Sequence, residues 1–133
     1  MKPFLKWAGG KTQLLDTITS ELPENMERIN TYIEPFVGAG AVFLDFLSSD
    51  RFEKYIINDI NSKLINVYKV IRDDIDLLIE SLNDIKEKYL SFEELSEDRE
   101  KMYYEIRDKF NSNDIGRIEL ASYFIFINKT CFN

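Results

Sequence analysis

The spacing of hydrophobic and polar positions over the first 73 residues predicts a β-α-β unit preceded by one helix. Apolar residues at helical spacing predict a helix over 10–22. Short apolar runs over 31–34 and 55–58 predict two strands, with a turn over 35–40 and a helix over 41–47 between them. Ser62 is the expected N-cap of another helix that runs to about residue 72.

From residue 74 onward the pattern changes, and it predicts helices alone. Their expected ranges are about 74–89, 93–110 and 115–128, and the first of them shows a clean i, i+3, i+4 apolar stripe. The strand–helix alternation that would finish a parallel sheet does not resume, and two strands make a poor sheet. The chain therefore has the pattern of the opening half of an α/β domain, followed by an all-helical segment.

Composition narrows the classes of function. The chain of 133 residues is long enough for one domain with a real core, and it contains no histidine, which excludes histidine-based zinc sites and Ser-His or Cys-His catalysis. A single cysteine, Cys131, cannot form an internal disulfide and suits a reducing cytoplasm. No signal peptide and no apolar stretch of about 20 residues is present, so we expect a cytoplasmic protein without a membrane span.

The net charge of −7 argues against this chain alone gripping a nucleic-acid backbone. The negative charge is concentrated over 73–119, which contains 15 acidic and 7 basic residues. Residues 1–11 carry Lys2, Lys6 and Lys11 and no acid. That segment is the best local candidate for a nucleic-acid face.

A glycine turn between the two predicted strands is the most informative motif. Residues 33–40 read Ile-Glu-Pro-Phe-Val-Gly-Ala-Gly, and Asp59 ends the second strand 21 residues after Gly38. Glycine lets the backbone approach a ligand, and an acid placed there can accept hydrogen bonds from two ribose hydroxyls. Position 43 is Phe43, where a dinucleotide fingerprint has its third glycine, which disfavours NAD or FAD. Two ligand-free alternatives stay open: a tight strand-to-helix turn, and Asp59 as a turn cap.

A second motif lies near the N-terminus, where residues 3–12 read Pro-Phe-Leu-Lys-Trp-Ala-Gly-Gly-Lys-Thr. The Gly-Lys-Thr ending is similar to a phosphate loop, but Leu5 stands where that loop needs a glycine, and only four residues precede Leu5 where a strand is expected. A ligand-binding loop of another kind is favoured, in which Trp7 offers an aromatic wall and Lys11 a cation beside bare backbone N–H groups. An NTPase loop and a flexible N-terminus capped onto a helix are the alternatives.

Three segments together resemble the Dam-type DNA adenine N6-methyltransferases in order and spacing: 6–11, 34–40 and 58–61. The tail over 128–133 is similar to the start of that family's next shared segment. The resemblance implies a Rossmann-like fold, α/β in class, that binds S-adenosylmethionine (SAM) and transfers its methyl group to the exocyclic nitrogen of adenine in duplex DNA. It also implies one incomplete domain, with 1–73 as the SAM-binding β-α-β portion and 74–133 as a helical segment leading towards the target-recognition region.

The resemblance further implies a set of cofactor-binding residues. Asp59 matches the acid that binds the ribose hydroxyls. The SAM carboxylate could use Lys11 or the amides of Gly9 and Gly10, and its ammonium favours a nearby acid such as Glu34. The full set is Trp7, Ala8, Gly9, Gly10, Lys11, Glu34, Phe36, Gly38, Gly40 and Asp59.

The catalytic Asp-Pro-Pro-Tyr of that family is absent, because the three prolines, Pro3, Pro23 and Pro35, are not adjacent. We therefore expect a truncated methyltransferase that keeps much of its SAM site and cannot methylate alone. The expected partners are duplex DNA, for the complete enzyme, and a remaining part of the enzyme as a separate chain, with no metal. The alternative is a non-catalytic interaction module whose helical segment docks a partner polypeptide.

Overall fold

The computed structural model describes residues 1–131 and places them in two compact units, Met1–Ile60 and the residues from Asn61 onward. The architecture is mixed α/β and mostly helical, and the described residues contain one two-stranded parallel sheet. The first unit holds the sheet and the second holds helices alone. The units thus divide one helix earlier than the boundary between 73 and 74 that was expected from sequence.

The first unit is built on a strand–helix–strand segment, as the sequence predicts. Strand β1 (Thr31–Glu34) and strand β2 (Lys54–Ile57) run parallel, and helix α2 (Ala41–Ser48) connects them. Tyr32 lies opposite Tyr55 in the register. Because side chains alternate along a strand, Tyr32 and Glu34 point to the same face of the sheet.

An aromatic core fills the space between α2 and the sheet. The ring of Tyr32 meets Phe46 edge-on, with 5.2 Å between centroids, and stacks on Phe52 at 5.5 Å. The hydroxyl of Tyr55 donates to the carbonyl of Phe46 at 2.9 Å and accepts from the amide of Phe52 at 3.1 Å. Such aromatic pairs add to the burial energy of the rings, so they fix the orientation of β1 against α2.

The first helix is shorter than the 10–22 expected from periodicity. Residues Thr12–Leu14 form a 3₁₀ turn and helix α1 covers only Leu15–Ser20. Lys11, which precedes the turn, provides no side-chain cap, and Leu14 is half-exposed, so part of the apolar stripe does not pack. The connection to β1 contains a second 3₁₀ turn, Met26–Arg28.

Four helices form the second unit: α3 (Ser62–Asp73), α4 (Ile75–Ser91), α5 (Glu97–Ser112) and α6 (Arg117–Thr130). The predicted helices are all present, with ends shifted by one to four residues. Helix α6 packs against the other three, and its apolar residues are spread around its whole circumference, which is typical of a buried central helix. The hydroxyl of its fully buried Ser122 donates to the carbonyl of Glu119 and accepts from Ser81.

The N-cap of α3 differs from the one expected. The side chain of Asn61 accepts a hydrogen bond from the amide of Leu64 at 3.1 Å, whereas Ser62 is the first helical residue. Asn61 has the extended backbone that an N-cap requires, and its amide oxygen reaches the third helical N–H. The prediction of Ser62 as the cap was wrong by one position.

Among residues 1–131, every helix is too short or too polar to cross a bilayer. The segment 128–133, which resembles a shared segment of the methyltransferases, ends on Phe132 and Asn133, and these two lie outside the described residues.

Candidate cofactor-binding site

The glycine turn after β1 has the backbone geometry that only glycine adopts readily. Gly38 has φ of 51° and Gly40 has φ of 74°, both in the left-handed region. The amide of Gly40 donates to the carbonyl of Val37 at 2.8 Å, which closes the turn, and Gly40 is the N-cap of α2. The turn therefore places the N-terminus of α2 at the carboxyl end of β1.

Asp59 lies against this turn immediately after β2. Its Oδ2 accepts a hydrogen bond from the amide of Gly38 at 3.0 Å. The backbone of Asn58 extends the ladder towards the turn, donating to the carbonyl of Glu34 at 2.8 Å and accepting from the amide of Val37 at 2.9 Å. Asp59 thus braces the glycine turn after β1. A carboxylate offers two oxygens and about four lone-pair positions, so this contact does not prevent it from also accepting ribose hydroxyls.

The indole of Trp7 covers Gly38. A Cβ built on Gly38 would lie 3.1 Å from both Cδ1 and Nε1 of the indole, closer than ordinary van der Waals contact. Gly9, two residues after Trp7, has φ of 73° and open space around its Cα. Trp7 and Gly38 lie about thirty residues apart in the sequence, and the fold brings them into direct contact.

Lys11 joins the N-terminal loop to β1 through two hydrogen bonds. Its Nζ donates to Oε1 of Glu34 at 3.3 Å and to the carbonyl oxygen of Phe36 at 2.9 Å. Glu34 is 7% exposed, and its Oε2 accepts from the hydroxyl of Tyr32 at 2.8 Å. Burial and the neighbouring Glu34 carboxylate raise the pKa of Tyr32 well above its usual value, so this hydroxyl is protonated and donates throughout the physiological range.

These elements surround a cavity of about 270 Å³ in the first unit. All of the residues expected from sequence to bind cofactor line it, except Glu34, which lies behind Lys11. The ring of Phe36 is 77% exposed beside the glycine turn. Six further lining residues were not expected, and all of them except Pro3 are within two positions of an expected residue along the chain: Pro3, Leu5, Thr12, Val37, Ala39 and Ala41.

The chemistry of the lining fits a zwitterionic nucleoside cofactor. A carboxylate (Asp59) and an ammonium (Lys11) lie at the cavity together with two aromatic rings, Trp7 and Phe36. An ammonium has three N–H donors, and among the described residues Glu34 and Phe36 accept from that of Lys11. Within residues 1–131 no cluster of three or more potential metal-ligating side chains occurs.

Comparison with known proteins finds similar sequences among the DNA adenine methyltransferases. The sequence pattern of the D12 class N6 adenine-specific DNA methyltransferases matches residues 7–133. The Type II methyltransferase M.MjaIII of Methanocaldococcus jannaschii is 48% identical over 137 aligned residues, which cover 100% of this chain and 47% of that protein. The DNA adenine methylase of Haemophilus influenzae is 39% identical, over 99% of this chain and 41% of that protein.

The DNA adenine methylase of Escherichia coli K12 is 34% identical, over 99% of this chain and 42% of that protein. The chain therefore spans less than half the length of these curated relatives. The family match covers nearly all of the chain and includes the N-terminal loop, the glycine turn and Asp59. On this evidence, the chain belongs to the D12 class of N6 adenine-specific DNA methyltransferases.

Proposed function

We propose that the cavity of the first unit binds SAM, and that the chain contributes this cofactor site to a site-specific methyltransferase that acts on adenine N6 in duplex DNA. The observation that carries the proposal is the convergence of three separate sequence motifs on one cavity. The Trp7–Lys11 loop, the glycine turn and Asp59 all line it. The parallel pair β1–β2 with α2 as its connection is, in this proposal, the opening of a Rossmann-like fold.

Each polar group of the cavity has a role suited to its chemistry. Asp59 accepts hydrogen bonds from the ribose hydroxyls while it braces Gly38. Lys11 pairs with the carboxylate of the methionine part, and the rings of Trp7 and Phe36 provide apolar contact area. When bound, SAM supplies an activated methyl group on its sulfonium, and the residues of this chain bind and orient it.

We also propose that the 133-residue chain does not methylate by itself. Adenine N6 transfer in this family uses an Asp-Pro-Pro-Tyr, whose polar groups accept hydrogen bonds from the target amine while its aromatic ring stacks on the flipped base. The three prolines of this chain are isolated from one another, so it has no such motif. Transfer of labelled methyl groups from SAM to adenine-containing duplex DNA by the purified chain would refute this part of the proposal.

Calorimetric titration with SAM, and with ATP in a parallel run, tests the cofactor assignment. Asp59→Asn is the informative variant, because the amide oxygen can still accept from the amide of Gly38 while the negative charge is lost. The loss of a charge-assisted hydrogen bond should weaken SAM binding about tenfold or more. Asp16→Asn is the matched control, since Asp16 is an exposed acid of the same unit that does not line the cavity.

The outcomes separate the competing interpretations. Binding of SAM that weakens in Asp59→Asn and is unchanged in Asp16→Asn supports the proposal. Binding of ATP without SAM would favour the phosphate-loop alternative at Gly10-Lys11-Thr12. Heat from neither ligand, in a chain shown to be folded by circular dichroism, would contradict SAM binding and favour the interaction-module alternative.

A further inference from the structure

We infer that Tyr32 is a positioning residue of the cavity: its hydroxyl fixes the carboxylate of Glu34, and Glu34 holds the ammonium of Lys11 at the cavity wall. The inference rests on the proposed function, because SAM binding is its readout. It deepens that proposal by assigning Tyr32 a role, and it places Glu34 behind Lys11 instead of against the cofactor.

Glu34 is buried and is held through both of its carboxylate oxygens. Its side chain is 8% exposed, and a carboxylate removed from water needs charged or hydrogen-bonding partners. The two partners approach different oxygens: Lys11 Nζ meets Oε1 at 3.3 Å and the Tyr32 hydroxyl meets Oε2 at 2.8 Å. Glu34 is therefore a bridge between a residue of the cavity wall and a residue of the aromatic core.

Lys11 depends on this bridge for its position. Its side chain is 40% exposed and stands on a flexible stem with many rotamers, so an ammonium of this kind does not hold one position unaided. The bonds to Glu34 and to the carbonyl of Phe36 direct it towards the glycine turn. The terminal torsion of a glutamate is soft, so a carboxylate held at only one oxygen would let the ammonium drift.

Tyr32 provides the rigid end of the bridge. Its ring is fixed by Phe46 and Phe52, at centroid distances of 5.2 and 5.5 Å, so its hydroxyl has a defined place. Tyr32 precedes Glu34 by two positions in β1, so both side chains leave the strand on the same face. Burial raises the pKa of this tyrosine, which keeps the hydroxyl a donor to the carboxylate.

Calorimetric SAM titration of four chains tests the inference: the unmodified protein, Tyr32→Phe, Lys11→Met and the double variant. Tyr32→Phe keeps the ring in the core and removes only the hydroxyl, and should weaken SAM binding about 3- to 10-fold. In the Lys11→Met background the same change should have little further effect, within about twofold, because Tyr32 acts through Lys11. A general loosening of the unit would weaken binding equally in both backgrounds.

Tyr55→Phe is the matched control. Its hydroxyl lies in the same aromatic core, but it bonds to the backbone of Phe46 and Phe52, neither of which lines the cavity. We expect it to lower the melting temperature while leaving SAM affinity within about twofold. Glu34→Gln tests the middle of the bridge and should weaken SAM binding at least as much as Tyr32→Phe, because the ammonium loses its charged partner.

Three results would overturn the inference. The first is an unchanged SAM affinity in Tyr32→Phe. The second is a loss of SAM affinity on Tyr32→Phe that is the same with Lys11 and with Met at position 11. The third is a loss of SAM affinity in Tyr55→Phe equal to that in Tyr32→Phe. Failure of the unmodified protein to bind SAM is a separate outcome: it would refute the proposed function and the inference with it. Normal binding by the unmodified protein with any of the three results would refute the role of Tyr32 alone.

Discussion

Replacing Gly38 with alanine adds one methyl group under the indole of Trp7, and two separable costs follow. The first is backbone strain, since φ at Gly38 is 51° and an L-residue in the left-handed region costs about 1–2 kcal/mol. The second is steric, because the new Cβ would lie 3.1 Å from two atoms of the indole. Overpacking of this kind costs about 1–3 kcal/mol, so we expect a total loss of about 2–5 kcal/mol in unfolding free energy.

Alanine substitutions at Gly9 and Gly10, which lie close to Trp7 in the sequence, separate the cost of backbone strain from the steric cost. Gly9 has φ of 73° and open space where a methyl group would be added, so Gly9→Ala should show strain alone, about 1–2 kcal/mol. Gly10 lacks a positive φ, and its nearest contact would be the Trp7 carbonyl oxygen at an ordinary 3.5 Å. Gly10→Ala should therefore change stability by no more than about 0.5 kcal/mol.

Urea unfolding followed by tryptophan fluorescence is the direct assay, because Trp7 is the only tryptophan and reports on this unit. From most to least stable, the expected order of the variants is Gly10→Ala, Gly9→Ala and Gly38→Ala. Gly38→Ala should also shift the native emission, since the indole must move. Equal losses in Gly38→Ala and Gly9→Ala would refute the claim that the indole rests on Gly38.

Three further predictions concern other parts of the chain. Asn61→Ala should cost about 1 kcal/mol by denaturant unfolding and Ser62→Ala less than about 0.5, and the reverse order would restore Ser62 as the cap. Burial and the bond to Glu119 raise the pKa of Tyr123 to about 12. The stability that this residue contributes is therefore complete below pH 10 and is lost as pH rises through 12. Tyrosinate absorbance should show a late-titrating group that Tyr123→Phe removes. Phe46→Ala should cost about 3–5 kcal/mol in thermal or urea unfolding because the ring is 1% exposed, and a loss below about 1 kcal/mol would contradict its place at the centre of the aromatic core.

The local features of the candidate site could be predicted from sequence because they depend on near neighbours. The glycines that need positive φ, the short apolar strand before them and the acid after the next strand can each be recognised from a few neighbouring residues. The strand–turn–helix at 31–48 was accordingly predicted nearly to the residue. The family resemblance is carried by the same local segments, and it is confirmed by the match over residues 7–133.

The contacts between distant segments could not be predicted in the same way. Nothing in the spacing of Lys11 and Glu34 says that they form an ion pair, and Glu34 was expected to face the cofactor. Tyr32 was missed because an aromatic residue in a strand is ordinarily a core residue, which it also is. In the sequence, Tyr32 stands two positions before Glu34, so both side chains lie on the same face of the strand. That spacing indicates a role for Tyr32 only once Lys11 is known to pair with Glu34.

The central position of α6 has a consequence for the order in which the second unit folds. Helices α3, α4 and α5 are all synthesised before α6, yet each of them packs against it. At about 5–20 residues per second, the ribosome exposes their apolar faces for several seconds before the covering helix emerges. The residues of the aromatic core of the first unit, by contrast, all lie between Leu15 and Tyr55. During synthesis, the apolar faces of α3, α4 and α5 should thus stay uncovered for longer than the aromatic core of the first unit.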